Sequence, residues 1–63
     1  MSDLFPVTLA EQIVCVEREV KMRERVYERR VADRRMTQAQ ADKEIRVMLA
    51  VLNTLSGIKA TTP

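Results

Sequence analysis

The sequence predicts an all-α protein, a two-helix antiparallel hairpin that dimerises into a four-helix bundle. The first observation is that Thr8 to Arg35 contains neither Gly nor Pro and carries apolar residues at helical intervals. The second is that helix start signals occur twice, at Thr8 and at Thr37. The third is that a chain of 63 residues with a single Cys cannot form an internal disulfide and buries little apolar surface alone. Self-association is the expected remedy.

The first helix is predicted over residues 8–35, after an extended N-terminal arm at 1–7. Pro6 disfavours helix at the residue before it. Thr8 is a suitable N-cap, and Glu11 three residues on completes a capping box. The main apolar stripe of this helix follows a 3.6-residue period and consists of Leu9, Ile13, Val16, Val20, Tyr27 and Val31.

The second helix is predicted over residues 37–56. Thr37 and Gln40 form another capping box. The apolar residues of this helix alternate at intervals of four and three, as in a coiled-coil seam. They are Ala41, Ile45, Met48, Leu52 and Leu55. Gly57 is interpreted as the residue that ends the helix in a Schellman motif, followed by a flexible tail at 58–63.

The two stripes match when the second helix folds back on the first. Val31 then faces Ala41, and Tyr27 faces Ile45. Agreement between the start signals and the stripes supports a hairpin domain over residues 8–57.

Each predicted helix also carries a second, narrower apolar line that its partner helix cannot cover. The second lines predict the dimer interface, because a helix with apolar residues on more than one side needs cover on each. The residues are Cys15, Met22 and Val26 in the first helix, with Val47 and Val51 in the second. A two-fold symmetric dimer is the default arrangement.

Arginines collect near the end of the first helix and in the turn after it. Arginine is favoured at protein interfaces, so these residues are the candidate partner-binding site. The set is Arg25, Arg29, Arg30, Arg34 and Arg35, with Tyr27 as a possible anchor. The overall charge is mild, with 11 basic and 9 acidic residues and a net charge of +2.

Neither catalysis nor a cofactor is expected. The chain has no His and one Gly, which leaves no general base of the usual kind and no phosphate-binding loop. One Cys without His cannot form a structural zinc site. Cys15 lies on an apolar line without a His partner, so packing is favoured over reactivity.

Two other functions stay open. A small nucleic-acid-binding regulator would use the basic residues of the first helix, but these are interleaved with acids and the second helix carries only Lys43 and Arg46 before its end. A structural adaptor would instead pack its second apolar face against a different chain.

The residues also resemble a known family. Several segments are similar to small early-region proteins of Mu-like bacteriophages, among them the quorum-sensing anti-activator of a Pseudomonas phage. The residues that carry the similarity are Gln12, Cys15-Val16-Glu17-Arg18-Glu19, Met22, Arg25-Val26-Tyr27, Arg30, Val31-Ala32, Met36-Thr37, Ala41-Asp42, Glu44-Ile45, Met48 and Ala50-Val51-Leu52. The resemblance implies a dimeric hairpin that binds and inhibits host proteins. The implied partners are a LuxR-type quorum-sensing regulator and the type IV pilus assembly ATPase.

The expected location is the cytoplasm of the host bacterial cell. No secretory signal is recognisable near Ser2 and Asp3, and an unpaired Cys suits a reducing compartment. The apolar run from Val47 to Leu52 is too short to span a membrane.

Overall fold

The computed structural model describes residues 6–61 and is all-helical there, with no β-strand in that range. Helix α1 spans Leu9–Ala32 and helix α2 spans Gln38–Thr61, each with 24 residues. The short connection between them, residues 33–37, forces α2 to turn back along α1. The predicted helical hairpin is therefore confirmed. Of the predicted arm at 1–7, residues 6 and 7 are non-helical and the others lie outside the described residues.

Helix α1 begins at the predicted N-cap. Thr8 has extended backbone angles, φ −79° and ψ 161°, and its Oγ1 accepts the Glu11 backbone N–H at 3.1 Å. The Gln12 N–H donates to the Thr8 carbonyl at 3.0 Å, which closes the first turn. The Thr8 side chain thus satisfies one of the donors that a helix N-terminus leaves free, and the Thr8 carbonyl accepts the first intrahelical bond.

The predicted end of α1 at Arg35 is wrong, because the helix ends at Ala32 in a Schellman motif. The Arg34 N–H donates to the Val31 carbonyl at 3.1 Å, and the Arg35 N–H donates to the Arg30 carbonyl at 2.8 Å. This geometry needs a left-handed residue, and Arg34 adopts it with φ 61°. The chain must reverse before Thr37, so the turn ends α1 without a glycine.

Helix α2 begins with the predicted capping box, which the structure confirms in both directions. The Gln40 N–H donates to Thr37 Oγ1 at 3.1 Å, and the Thr37 N–H donates to Gln40 Oε1 at 3.0 Å. The Gln38 side-chain amide donates to Asp42 Oδ1 at 2.9 Å, one turn further along. Three side-chain hydrogen bonds therefore stabilise the start of α2.

The predicted stop at Gly57 is wrong, because α2 continues to Thr61 and Gly57 has no positive φ. The residues after Gly57 include good helix formers, and no proline occurs between Gly57 and Pro63. The Thr61 hydroxyl lies 3.2 Å from the Gly57 carbonyl and 3.0 Å from the Ile58 carbonyl, to which it donates. These contacts satisfy acceptors of the last turn. The predicted flexible tail at 58–63 is therefore helical over 58–61.

The core is the seam between the two predicted stripes. Val20 is 6% exposed and Ala41 is 5% exposed, and no other residue of the described chain is buried to this degree. The rest of both stripes is half-buried. The Cα atoms extend 44 × 29 × 12 Å, and a helix with its side chains is about 10–12 Å across, so the hairpin is one layer of helices. One layer cannot enclose a core.

Candidate interaction surfaces

Large apolar side chains are exposed in a row on each helix. Met22 and Val26 are 45% and 37% exposed on α1, and Val47 and Val51 are 52% and 43% exposed on α2. Ile58 continues the α2 row, and it is 46% exposed. On a step of about 100° per residue, the α1 row lies about a third of a turn from the seam and the α2 row about a quarter of a turn. Together with Cys15, which is also exposed, we call them the apolar face.

The two rows lie on the same side of the hairpin. A groove lies on the other side of the hairpin. On both helices, the residues that line it are displaced around the axis from the seam in the direction opposite to the two rows; they include Glu28, Asp42 and Leu49. Because both rows are displaced away from the groove, they lie on the same side of the hairpin. This places the predicted dimer-interface residues on one surface. Ile58 also belongs to this surface, and it was not predicted because residues 58–63 were interpreted as a flexible tail.

The antiparallel register sets the two rows at similar heights. Tyr27 and Ile45 line the same groove, which is consistent with the predicted pairing of these two residues. Counting along both antiparallel helices from this pair brings Val26 within one residue of the height of Val47, and Met22 within one residue of the height of Val51. The same count brings Cys15 within one residue of the height of Ile58. The apolar face therefore consists of two rows at similar heights.

An ion pair lies beside this face. Arg23 Nε is 3.2 Å from Glu19 Oε1, and both side chains are 38% exposed. The hydrogen bond with Glu19 and the nearby Tyr27 hydroxyl raise the pKa of Arg23 above its ordinary value. A partly exposed pair of this kind contributes little to stability. Its effect is to offset the charge of Arg23, which occupies the gap in the apolar stripe of α1 between Val20 and Tyr27.

The predicted partner-binding arginines are all exposed, but they do not form one surface. Arg25 and Arg29 lie on the outer side of α1, whereas Arg30 lies about 100° away from Arg29 around the axis. The Arg30 Cζ atom is 5.9 Å from the centroid of the Tyr27 ring, within cation–π range. Arg34 and Arg35 lie in the turn. Their role in binding stays a prediction.

Sequence reasoning missed the groove opposite the apolar face. It has a volume of about 550 Å³ and runs along the C-terminal part of α1 and the N-terminal part of α2. Its floor and walls are mostly apolar, whereas its rim carries carboxylates. The apolar residues are Tyr27, Val31, Ala32, Ala41, Ile45 and Leu49, and the acidic ones are Glu24, Glu28 and Asp42. We call it the acidic groove. The only signal in the sequence was the like-charge spacing of Glu24 and Glu28.

A further small depression lies near the start of α1. It is lined by Val7, Ala10, Val14 and other residues, and Val7 and Val14 are 63% and 57% exposed. Cys15 of the apolar face also lines this depression, so the depression borders that face near the start of α1. Val7 and Val14 are not part of the two predicted stripes.

Neither a metal site nor a membrane-spanning helix is found in the part of the chain that the structure describes. Within residues 6–61, no group of three or more His, Cys, Asp or Glu side chains is arranged to hold a metal ion. Neither α1 nor α2 is both long and apolar enough to cross a membrane. Cys15 is a free, exposed thiol.

Comparison with known proteins gives no match: no family model matches the chain, and no match is found among curated proteins or solved structures. The resemblance to small phage early proteins therefore stays a prediction.

Proposed function

We propose that the chain is a non-enzymatic interaction protein, which pairs with a second copy through the apolar face and inhibits a partner protein by occupying its surface. The observation that carries the proposal is the apolar face itself. Large apolar side chains between 37% and 52% exposed lie in two rows on one side of a hairpin. Several large exposed apolar side chains grouped on one side of a small protein are typical of an association site.

A second hairpin is the occupant that fits this face. Two hairpins stacked face to face make a four-helix bundle and supply the second layer that a closed core needs. Burying the exposed half of a Val, Ile or Met side chain contributes roughly 1 kcal/mol, so the five residues on each of two copies contribute about 10 kcal/mol. Association costs about 4–15 kcal/mol. The balance is close, so the dimer should be sensitive to one charged substitution in the face.

The inhibitory role and its targets come from the resemblance to phage early proteins. We propose a LuxR-type quorum-sensing transcription regulator as the principal target and the type IV pilus assembly ATPase as a second one. Steric occupancy is a sufficient mechanism, since covering a dimerisation, DNA-contact or nucleotide-cycle surface stops the partner without any chemistry. The absence of a predicted general base or cofactor site is compatible with this role.

A tagged pull-down from nuclease-treated bacterial lysate, analysed by mass spectrometry, tests the proposal. Enrichment of a LuxR-type regulator or a pilus ATPase over a tag-only control is the expected result, followed by loss of that regulator's promoter binding when the purified chain is added. Recovery of no specific protein, with nucleic acid retained when nuclease is omitted, would instead favour the nucleic-acid-binding alternative.

A further inference from the structure

We propose that the acidic groove binds a basic amphipathic helix of a partner protein. This inference rests on the proposed function, because it assigns that function a surface and a partner chemistry. The groove lies between α1 and α2, so a third helix laid in it would contact both, as in ordinary helix packing. It spans residues 24 to 32 on α1, about two helical turns, which suits apolar anchors at i, i+3, i+4 and i+7.

The charge of the rim selects the partner. Glu24, Glu28 and Asp42 line the groove against a single basic residue, Arg46, although the whole chain has a net charge of +2. Neither Glu24 nor Glu28 forms an ion pair with another residue in the 6–61 range. Their carboxylates are therefore free to pair with Lys or Arg of a bound segment. The same rim would repel phosphate groups, so nucleic acid does not fit this surface.

The floor of the groove provides the apolar part of the site. Leu49 is 46% exposed and forms one wall, while Tyr27 lines the other, with the Arg30 Cζ atom 5.9 Å from its ring centroid. An aromatic ring with few rotatable bonds and an aliphatic wall beside charged rim residues is the usual composition of an interface centre. Because the acidic groove lies opposite the apolar face, it stays open when two hairpins pair, and a dimer would present two such sites.

The test uses the full chain and a fluorescein-labelled amphipathic peptide of leucine and lysine, with leucines at helical i, i+3, i+4 and i+7 positions. Fluorescence anisotropy should show saturable binding that weakens as salt increases. A control peptide with glutamate in place of every lysine should bind at least about tenfold more weakly. Equal binding of the two peptides would contradict the role of the acidic rim.

Matched variants then locate the site. E24Q/E28Q should weaken peptide binding about tenfold, whereas E17Q/E44Q, with the same change in net charge outside the groove, should leave it within about twofold. Leu49→Ala should also weaken binding, and Val14→Ala, which truncates an exposed valine outside both the groove and the apolar face, should not. Circular dichroism confirms that each variant is folded. If E17Q/E44Q or Val14→Ala has the larger effect, the groove is not the site.

The natural partner separates this inference from the proposed function. Suppose that the chain captures a LuxR-type regulator and inhibits it: E24Q/E28Q and Leu49→Ala should then reduce that inhibition, while their controls should not. Inhibition that is unchanged by the groove variants would refute the groove and leave the inhibitor proposal intact. Absence of any inhibition, with the synthetic peptide still bound in the groove, would refute the inhibitor proposal alone.

Discussion

Substitution of Gly57 by alanine tests whether α2 continues through this position or ends there. In the structure Gly57 is helical, and a Cβ atom added to it would meet nothing within 4 Å. Alanine is favoured over glycine inside a helix by about 0.8–1.0 kcal/mol. Since Gly57 lies near the end of α2, where helices fray, we expect a gain of about 0.5–1 kcal/mol in the free energy of unfolding. For a chain of this size, that corresponds to a rise of roughly 2–8 °C in Tm.

A left-handed conformation at Gly57 would give the opposite sign for the change in the free energy of unfolding. If Gly57 ended the helix in the left-handed region, alanine would carry a penalty of about 1–2 kcal/mol there. Thermal unfolding followed by circular dichroism at a fixed chain concentration measures the difference, with concentration held constant because pairing affects Tm. Ser56→Ala is the control, since Ser56 is helical in either arrangement and should give a small rise. A fall in Tm for Gly57→Ala would refute the assignment of residues 57–61 to α2.

Three further predictions concern the turn and the core. Arg34→Gly should stabilise the chain by about 1 kcal/mol, because Arg34 has φ 61°, and Arg34→Val should destabilise it; chemical denaturation of both variants gives the signs. Thr37→Ala should lose about 1 kcal/mol with the cap of α2, whereas Thr37→Ser should retain most of it, and equal Tm values for the two would contradict the capping role. Val20→Ala should cost about 2 kcal/mol at the buried seam, against less than about 0.5 kcal/mol for Val14→Ala on the exposed side, with urea midpoints as the measurement.

The seam of the hairpin and the starts of both helices were predictable from the sequence, because each depends on local chemistry. Thr8 and Thr37 act as caps through bonds to residues three positions away, and such contacts are encoded within one turn. The stripe residues repeat at helical spacing, and this spacing alone was enough to place Val20 and Ala41 in the seam between α1 and α2, where both are buried.

The ends of the helices were less predictable, because an end depends on competition between neighbouring signals. Glycine is the usual left-handed residue, so Gly57 was a reasonable stop, yet nothing after it forces the chain to turn. The turn that must form lies between two helices with a strong start signal at Thr37. There the reversal imposes a left-handed conformation on Arg34 despite its side chain.

The interaction surfaces were predictable only in part. The second apolar lines followed from periodicity, but their location on one side of the hairpin depends on the antiparallel arrangement of both helices. The acidic groove could not be inferred in this way, because its rim combines Glu24 and Glu28 of α1 with Asp42 of α2. The arginines looked like one cluster in sequence, but they lie at different places. Arg25 and Arg29 share the outer side of α1, Arg30 lies about 100° from Arg29, and Arg34 and Arg35 lie in the turn.

The mass of the chain in solution tests the pairing of two hairpins most directly. Sedimentation equilibrium over a range of concentrations should give twice the chain mass of 7.3 kDa for the natural sequence. Val51→Asp, in the middle of the apolar face, should give a species of 7.3 kDa with reduced helicity, while Leu49→Asp on the opposite side should keep the doubled mass. A natural chain that stays at 7.3 kDa at every concentration, or a Val51→Asp variant that is fully helical at twice that mass, would contradict pairing through this face.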